Sequence, residues 1–416
     1  MLISKPYIYN NFEVKLPASK SISNRVLIIN MLAGNKSFPE NLADCDDTRA
    51  VANWIINQPE VVDIGAAGTA MRFSTALLSV LDGTKIITGS ERMKHRPIHV
   101  LVDALRMLGA KIDYLESEGF PPLKITGSKN LKGGQVELDG SVSSQFISAL
   151  MIIAPYMKDG LLLRLRKNII SRPYINMTMS IMKDFGADVE WVSENEIHIK
   201  PVHYIVRNYW VENDWSASSY WYEILALSDK LSSLKLMGLC ANSLQGDSHV
   251  ADLFARLGIE TRFEMDGGMP VAILSKKSDV VDSLEYDFIN QPDLAQTLIV
   301  TCCMLNIPFC FSGLSSLKIK ETDRISAMIT EMNKLGYDLR QYEEGIIEWN
   351  GSKRELTNDE LLKVAIDTYE DHRMAMAFAP AALKLGTLTI NNPHVVSKSY
   401  PNFWNDLASL GFIFNK

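Results

Sequence analysis

One short pattern recurs along this chain at nearly constant intervals: an apolar helical segment, then Gly, then a short β-forming run. It reads Asp103-Ala-Leu-Arg-Met-Leu-Gly109-Ala-Lys-Ile, Ser180-Ile-Met-Lys-Asp-Phe-Gly186-Ala-Asp-Val, Leu253-Phe-Ala-Arg-Leu-Gly258-Ile-Glu, Glu331-Met-Asn-Lys-Leu-Gly336-Tyr-Asp-Leu and Leu407-Ala-Ser-Leu-Gly411-Phe-Ile. A weaker copy stands at Asn30-Met-Leu-Ala-Gly34. Each Gly suits the left-handed position that closes a helix, where a side chain would be strained. The successive intervals are 75, 77, 72, 78 and 75 residues. Such self-similarity marks a chain built by repetition, here about six αβ units.

At ~150 residues per domain, 416 residues suggest two or three domains. Apolar residues at helical spacing predict further helices over 25–32, 70–81, 145–157, 216–227, 294–305 and 374–383. Alternating or β-rich runs predict strands over 85–88, 135–138, 196–200 and 387–390. No low-complexity linker interrupts the chain, so domains are expected to meet at a tight hinge. The class is α/β or α+β.

Composition narrows the partners. The 42 Lys+Arg against 49 Asp+Glu leave a net charge of −7, which argues against a general nucleic-acid or membrane-surface binder. No apolar run nears the ~18 residues of a membrane span, and Met1-Leu-Ile-Ser-Lys-Pro lacks the apolar core of a signal peptide. The five cysteines, Cys45, Cys240, Cys302, Cys303 and Cys310, form no C-x-x-C and are odd in number. They read as small buried hydrophobes in a reducing cytoplasm. The seven histidines include no H-E-x-x-H or other close ligand set, so no protein-held metal and no cofactor are expected.

Against this acidic background, cations gather at predicted helix starts, which already carry about half a positive charge. Lys20-Ser21-Ile-Ser-Asn-Arg25 opens the first helix, and Arg96-Pro97 precedes another. Lys320-Glu321-Thr-Asp-Arg324 and Glu370-Asp-His372-Arg373 open two more, and Lys398 stands just before the last. Any one of these reads as a solvated surface charge. Five together imply a negative ligand from outside, since helix N-termini with Lys and Arg bind phosphate and carboxylate. Ser143-Ser144-Gln145 would by itself be an ordinary N-cap. Ala66-Ala-Gly68-Thr-Ala-Met-Arg72 places a Gly where backbone N–H groups can approach an anion, but it is neither a P-loop nor a G-x-G-x-x-G.

Taken in order, these segments resemble the enolpyruvylshikimate-phosphate synthase (3-phosphoshikimate 1-carboxyvinyltransferase) family. The match includes Leu16-Pro-Ala-Ser-Lys20-Ser21-Ile-Ser-Asn-Arg25, Gly68-Thr-Ala-Met-Arg72, Arg96-Pro97, Ser143-Ser-Gln145-Phe and Ser171-Arg-Pro-Tyr174. It continues through Pro292-Asp293, Lys320-Glu-Thr-Asp-Arg324 and Asp371-His-Arg-Met-Ala-Met376. The resemblance implies a two-domain inside-out α/β barrel of the enolpyruvyl transferase type, with six βαβαββ units, three per domain. It puts residues 17–212 in an N-terminal domain on the shikimate 3-phosphate side, and residues 1–16 with 213–416 in a C-terminal domain on the phosphoenolpyruvate side. The active site is implied in the cleft between them.

The implied reaction moves the enolpyruvyl group of phosphoenolpyruvate to the 5-hydroxyl of shikimate 3-phosphate and releases phosphate. It is a step of the shikimate pathway towards chorismate and aromatic amino acids, and a glyphosate target. By the same resemblance Glu321 is the proton donor, Asp293 the acceptor, and Lys20 touches both substrates. Lys20, Ser21, Arg25, Ser143, Ser144, Gln145, Ser171, Tyr174, Asp293 and Lys320 would hold shikimate 3-phosphate. Lys20, Gly68, Arg96, Gln145, Arg324, Arg373 and Lys398 would hold phosphoenolpyruvate, while His372 and Ser316 lie near the site without an assigned role. The expected partners are these two small molecules, with no nucleic acid and no membrane; a cytoplasmic monomer is expected.

The chain departs from the family pattern at a few positions. Ser316 replaces a frequent Asn, Ala66 another Asn, and Phe73 a common Pro; Trp215 follows Asp214 where relatives carry a small residue. The stretch 47–65 is short, so a strand or loop of the first unit is expected to be trimmed. The nearest rival, UDP-N-acetylglucosamine enolpyruvyl transferase, commonly uses a loop Cys, and Gly89-Ser-Glu-Arg-Met-Lys-His-Arg96 has none. A non-catalytic paralogue binding phosphorylated metabolites would not need both Asp293 and Glu321.

Overall fold

The computed structural model describes residues 1–5 and 12–415. The chain divides into two compact units, one of residues 18–211 and one of residues 1–17 with 212–416. The six glycines that mark the repeat, Gly34, Gly109, Gly186, Gly258, Gly336 and Gly411, all have φ between +75° and +103°. They occupy the backbone region that the repeat reading requires.

In the unit 18–211, two stretches repeat one topology. The first runs from strand Val61–Asp63 through helix Gly68–Val80, strand Gly83–Thr88 and helix His99–Met107 to strands Lys111–Tyr114 and Leu123–Gly127. Its first two strands pair in parallel, and the last two add antiparallel with the fourth strand inside the third. Residues 134–199 do the same, with helices Ser144–Ile153 and Arg172–Asp184. The first repeat of this unit is reduced. Among the described residues it keeps helices Lys20–Leu32 and Asp46–Asn57 and a single parallel bridge between Glu40 and Trp210.

Among the described residues the other unit has three sheets, two of four strands and one of three, and draws two strands from the start of the chain. Phe12–Lys15 lies parallel to Ser233–Met237, to which Met269–Val280 and Leu257–Asp266 add antiparallel. Leu284–Asp287, Phe309–Ser312 and Ile347–Trp349 form the second sheet. In the third, Leu2–Ser4 inserts between Thr387–Ile390 and Ile413–Asn415.

Helices form the centre of each unit and sheets its outside. All 13 residues of Gly68–Val80 are buried, as are ten of the 11 in Ala295–Leu305, so these helices are enclosed on every side. Strands such as Leu161–Arg166 alternate buried and exposed residues and cover the helices with one face only. This arrangement aims several helix starts at one end of each unit. Elements differ from the sequence reading where polar or proline residues intervene. The first helix starts at Lys20, where the cation pattern places it, although its polar opening turn confines the apolar period to 25–32. Helix 145–157 ends at Ile153 and 374–383 breaks after Phe378, where Pro155 and Pro380 turn the chain into 3-10 geometry. Trp215 is fully buried, with its indole N–H donating to Glu212 at 3.0 Å.

Candidate active site

In the unit 18–211 the sequence-derived residues stand at four helix starts. Lys20 and Ser21 open the first helix, capped by Ser19, whose hydroxyl accepts from the Ile22 N–H. The Lys20 ammonium lies 3.6 Å from the buried Asp47 carboxylate. Arg25 turns inward: its Nε donates to the Thr178 hydroxyl at 2.7 Å, Nη1 to the Ser21 carbonyl at 2.8 Å and Nη2 to Ser148 at 3.2 Å. Its guanidinium lies over the Phe73 ring, 5.3 Å from the centroid. Burial lowers its pKa to about 10, so it still holds its proton at neutral pH. Arg25 thereby ties three helices together, and Phe73 gives it a floor.

Gly68 begins a helix that has no side-chain cap. A Cβ placed on it would meet Arg96 Nη1 at 2.7 Å and Arg72 Nη1 at 2.9 Å, so both guanidinium groups lie directly on this helix start. Arg72 donates to the Gly68 carbonyl at 2.9 Å and to Gln145 Oε1 at 3.0 Å, while Gln145 Nε2 donates to the Thr69 hydroxyl at 3.1 Å. Gln145 is thus fixed beside Gly68, although 77 residues separate them. Ser143 caps the next helix by accepting from the Gln145 N–H, and Ser144 is its buried first residue. Ser171 precedes the Arg172–Asp184 helix at φ +53°, and the Tyr174 carbonyl accepts from the Thr178 hydroxyl and from Arg25.

In the other unit, Arg324 anchors an alternating set of charges. It opens the Arg324–Lys334 helix and is almost wholly buried. Its Nη1 donates to Asp293 at 2.9 Å, Nη2 to Glu321 at 2.8 Å and Nε to Asp371 at 2.7 Å. Arg373 donates to the other Asp293 oxygen at 2.9 Å. The Lys320 ammonium stands 3.7 Å from Asp293, and that of Lys398 3.7 Å from Glu321. Asp371 caps its own helix by accepting from the Arg373 N–H, and the buried His372 ring lies 3.7 Å from it. Ser316 is half-buried in the short turn Ser315–Ile319 that leads to Lys320.

The carboxylates divide by surroundings. Burial disfavours the charged form of Asp293, but Arg373, Lys320 and Arg324 outweigh it and hold this carboxyl well below the usual range. Asp247, also buried, is pushed up to about 7 by burial first and then by the charge of Asp293, with Arg373 and the Ser216 hydroxyl opposing. One buried acid held well below the usual range and another pushed up to about 7 therefore feel the same guanidinium.

Such a set has the chemistry to bind small anions at helix starts and places carboxylates among the cations. A family model for EPSP synthase (3-phosphoshikimate 1-carboxyvinyltransferase) matches residues 53–407. A 3-phosphoshikimate 1-carboxyvinyltransferase of Bacteroides fragilis is 53% identical over 399 residues, covering 96% of this chain and 95% of its own. The chain belongs to the EPSP synthase family. A 3-phosphoshikimate 1-carboxyvinyltransferase of Sulfurovum sp. (strain NBC37-1) is 36% identical over 98% of both chains. Two solved structures of EPSP synthase from Acinetobacter baumannii share the fold with TM-scores of 0.77 and 0.78 at 20% identity, covering 100% of this chain and 99% and 100% of theirs.

Three polar residues that the sequence reading left out stand against the candidate residues of their own units. Asp47 faces Lys20, Arg72 faces Gln145, and Asp371 binds Arg324. Asp47 sat in the run Asp44-Cys-Asp-Asp47, which reads as ordinary acids favouring a helix N-terminus. Asp371 was quoted only as part of a motif, although its place one residue before a helix start is the signature of a cap. Among the described residues no helix is long and apolar enough to cross a membrane.

Proposed function

We propose that this chain transfers the 1-carboxyvinyl group of phosphoenolpyruvate to the 5-hydroxyl of shikimate 3-phosphate, releasing phosphate. Membership of the EPSP synthase family supports the reaction. The observation that carries the chemistry is the single guanidinium of Arg324 bridging Asp293 and Glu321, with Lys320, Arg373 and Lys398 around them.

Glu321 gives a proton to the methylene carbon of phosphoenolpyruvate, which makes the adjoining carbon cationic. The substrate hydroxyl attacks that carbon and its proton passes to Asp293, giving a tetrahedral ketal. Loss of phosphate from the ketal, with a methyl proton returning to the Glu321 carboxylate, restores the double bond. The phosphate and carboxylate of phosphoenolpyruvate compete with Glu321 and Asp293 for the edges of Arg324, Arg373 and Lys398. Once those cations face substrate, the Glu321 carboxyl can turn to the methylene carbon that it protonates. The cations then stabilise charge on the leaving phosphate. In the unit 18–211, Lys20, Arg96, Gln145 and the Gly68 backbone serve phosphoenolpyruvate. Ser21, Ser143, Ser144, Ser171 and Tyr174 serve shikimate 3-phosphate, and Arg25 holds the helices that carry them.

Purified protein given phosphoenolpyruvate and shikimate 3-phosphate is expected to release phosphate, and to release none with UDP-N-acetylglucosamine as the acceptor. The reverse result would replace this reading.

A further inference from the structure

We propose that Tyr369 and Glu331 are positioning residues for Arg373, holding a left-handed backbone corner at 369–370 that places Asp371 and Arg373 against Arg324 and Asp293. This rests on the function proposed above.

Tyr369 and Glu370 are consecutive non-glycine residues with φ of +52° and +55°. For a bulky side chain this region is sparsely populated, and two in a row persist only where the surroundings impose them. The imposing group is the Glu331 carboxylate, which has no exposure. One of its oxygens accepts from the Tyr369 hydroxyl at 2.6 Å; the other accepts from the Asp367 N–H at 3.1 Å and pairs with the Lys334 ammonium at 2.7 Å. Beyond the corner, the Asp371 N–H donates to the Thr368 carbonyl at 2.7 Å.

Glu331 and Arg324 belong to the same helix. Seven residues at ~1.5 Å each separate their backbones by about 10 Å. One rigid rod therefore grips the 367–371 segment at two points, Arg324 on Asp371 and Glu331 on Asp367 and Tyr369. Two grips fix direction as well as distance, and the direction decides whether Arg373 reaches Asp293. Neither Tyr369 nor Glu331 touches the reacting groups; they act through the backbone.

The test compares native enzyme with Tyr369→Phe, and with that variant carrying Glu370→Gly, because Gly adopts φ near +55° without strain. In Tyr369→Phe the KM for phosphoenolpyruvate is expected to rise about tenfold, the size of one lost hydrogen bond to a charged group, while the KM for shikimate 3-phosphate stays within about twofold. Amide exchange at Asp371 and Arg373 is expected to quicken. Adding Glu370→Gly should recover most of the phosphoenolpyruvate affinity and the exchange protection. Unchanged exchange in Tyr369→Phe, equal losses for both substrates, or no recovery from Glu370→Gly would each overturn the proposal. Native enzyme without turnover would sink the function alone, because the exchange readout needs no activity.

Discussion

Asp293 and Glu321 are held by one guanidinium: Arg324 donates to the first at 2.9 Å and to the second at 2.8 Å. The residues proposed to accept and to give a proton thus share one buried arginine, which also binds Asp371.

This geometry separates chemistry from binding. Glu321→Gln and Asp293→Asn retain shape and a hydrogen-bonding oxygen but cannot exchange a proton. Each is expected to lower kcat by roughly 10²–10⁴-fold, the range for losing a positioned acid or base, with substrate affinity changed much less. Steady-state phosphate release together with equilibrium binding checks this. Loss of affinity with kcat retained would assign both residues to binding.

Gly68 supports a second prediction. Its missing side chain leaves the space in which Arg96 and Arg72 lie, since a Cβ would sit 2.7 and 2.9 Å from them. Gly68→Ala is expected to fold, because guanidinium tips can swing aside, but to displace the groups proposed to meet phosphoenolpyruvate. The native enzyme is expected to be inhibited by micromolar glyphosate in competition with phosphoenolpyruvate; in Gly68→Ala the KM for phosphoenolpyruvate should rise and that inhibition weaken. Native turnover untouched by micromolar glyphosate at normal phosphoenolpyruvate affinity would contradict this, with Phe73 the next residue to vary.

Repetition was the most legible property of the sequence, because a helix-closing glycine has a local physical requirement that needs no tertiary context. All six marker glycines sit at positive φ. Helix starts bearing cations were legible for the same reason. What could not be read locally was which way a side chain points. Arg25 stands in a motif beside Lys20, yet its hydrogen bonds go to its own helix and to Thr178, Tyr174 and Ser148 on two others. Asp371 and Glu331 draw their meaning from residues 47 and 38 positions away, a relation that sequence spacing does not encode. The helix breaks at Pro155 and Pro380 were visible as residues but were overridden by apolar periodicity that runs through them.

Glu223 offers a test of stability against pH. It lies without exposure on the Trp215–Leu227 helix, and burial pushes its pKa well above 4.5, with the Thr301 hydroxyl offsetting part of the shift. Below about 4.5 the carboxyl is protonated in the folded and the unfolded chain alike, and its contribution to stability is fully present. As pH rises, the unfolded chain gives up the proton first, so this contribution falls until the folded-state pKa is passed. Glu223→Gln cannot ionise. It should melt a few degrees higher than native protein at pH 8, on the order of 2–4 °C per kcal/mol gained, with the gap closing towards pH 4.5. A gap that widens on acidification would contradict the sign.

The most direct measurement is phosphate release by the purified native chain with phosphoenolpyruvate and each acceptor in turn. Release that requires shikimate 3-phosphate, with 5-enolpyruvylshikimate 3-phosphate formed in equal amount, is the predicted result. Release with UDP-N-acetylglucosamine instead, or binding of both substrates without any release, would contradict it.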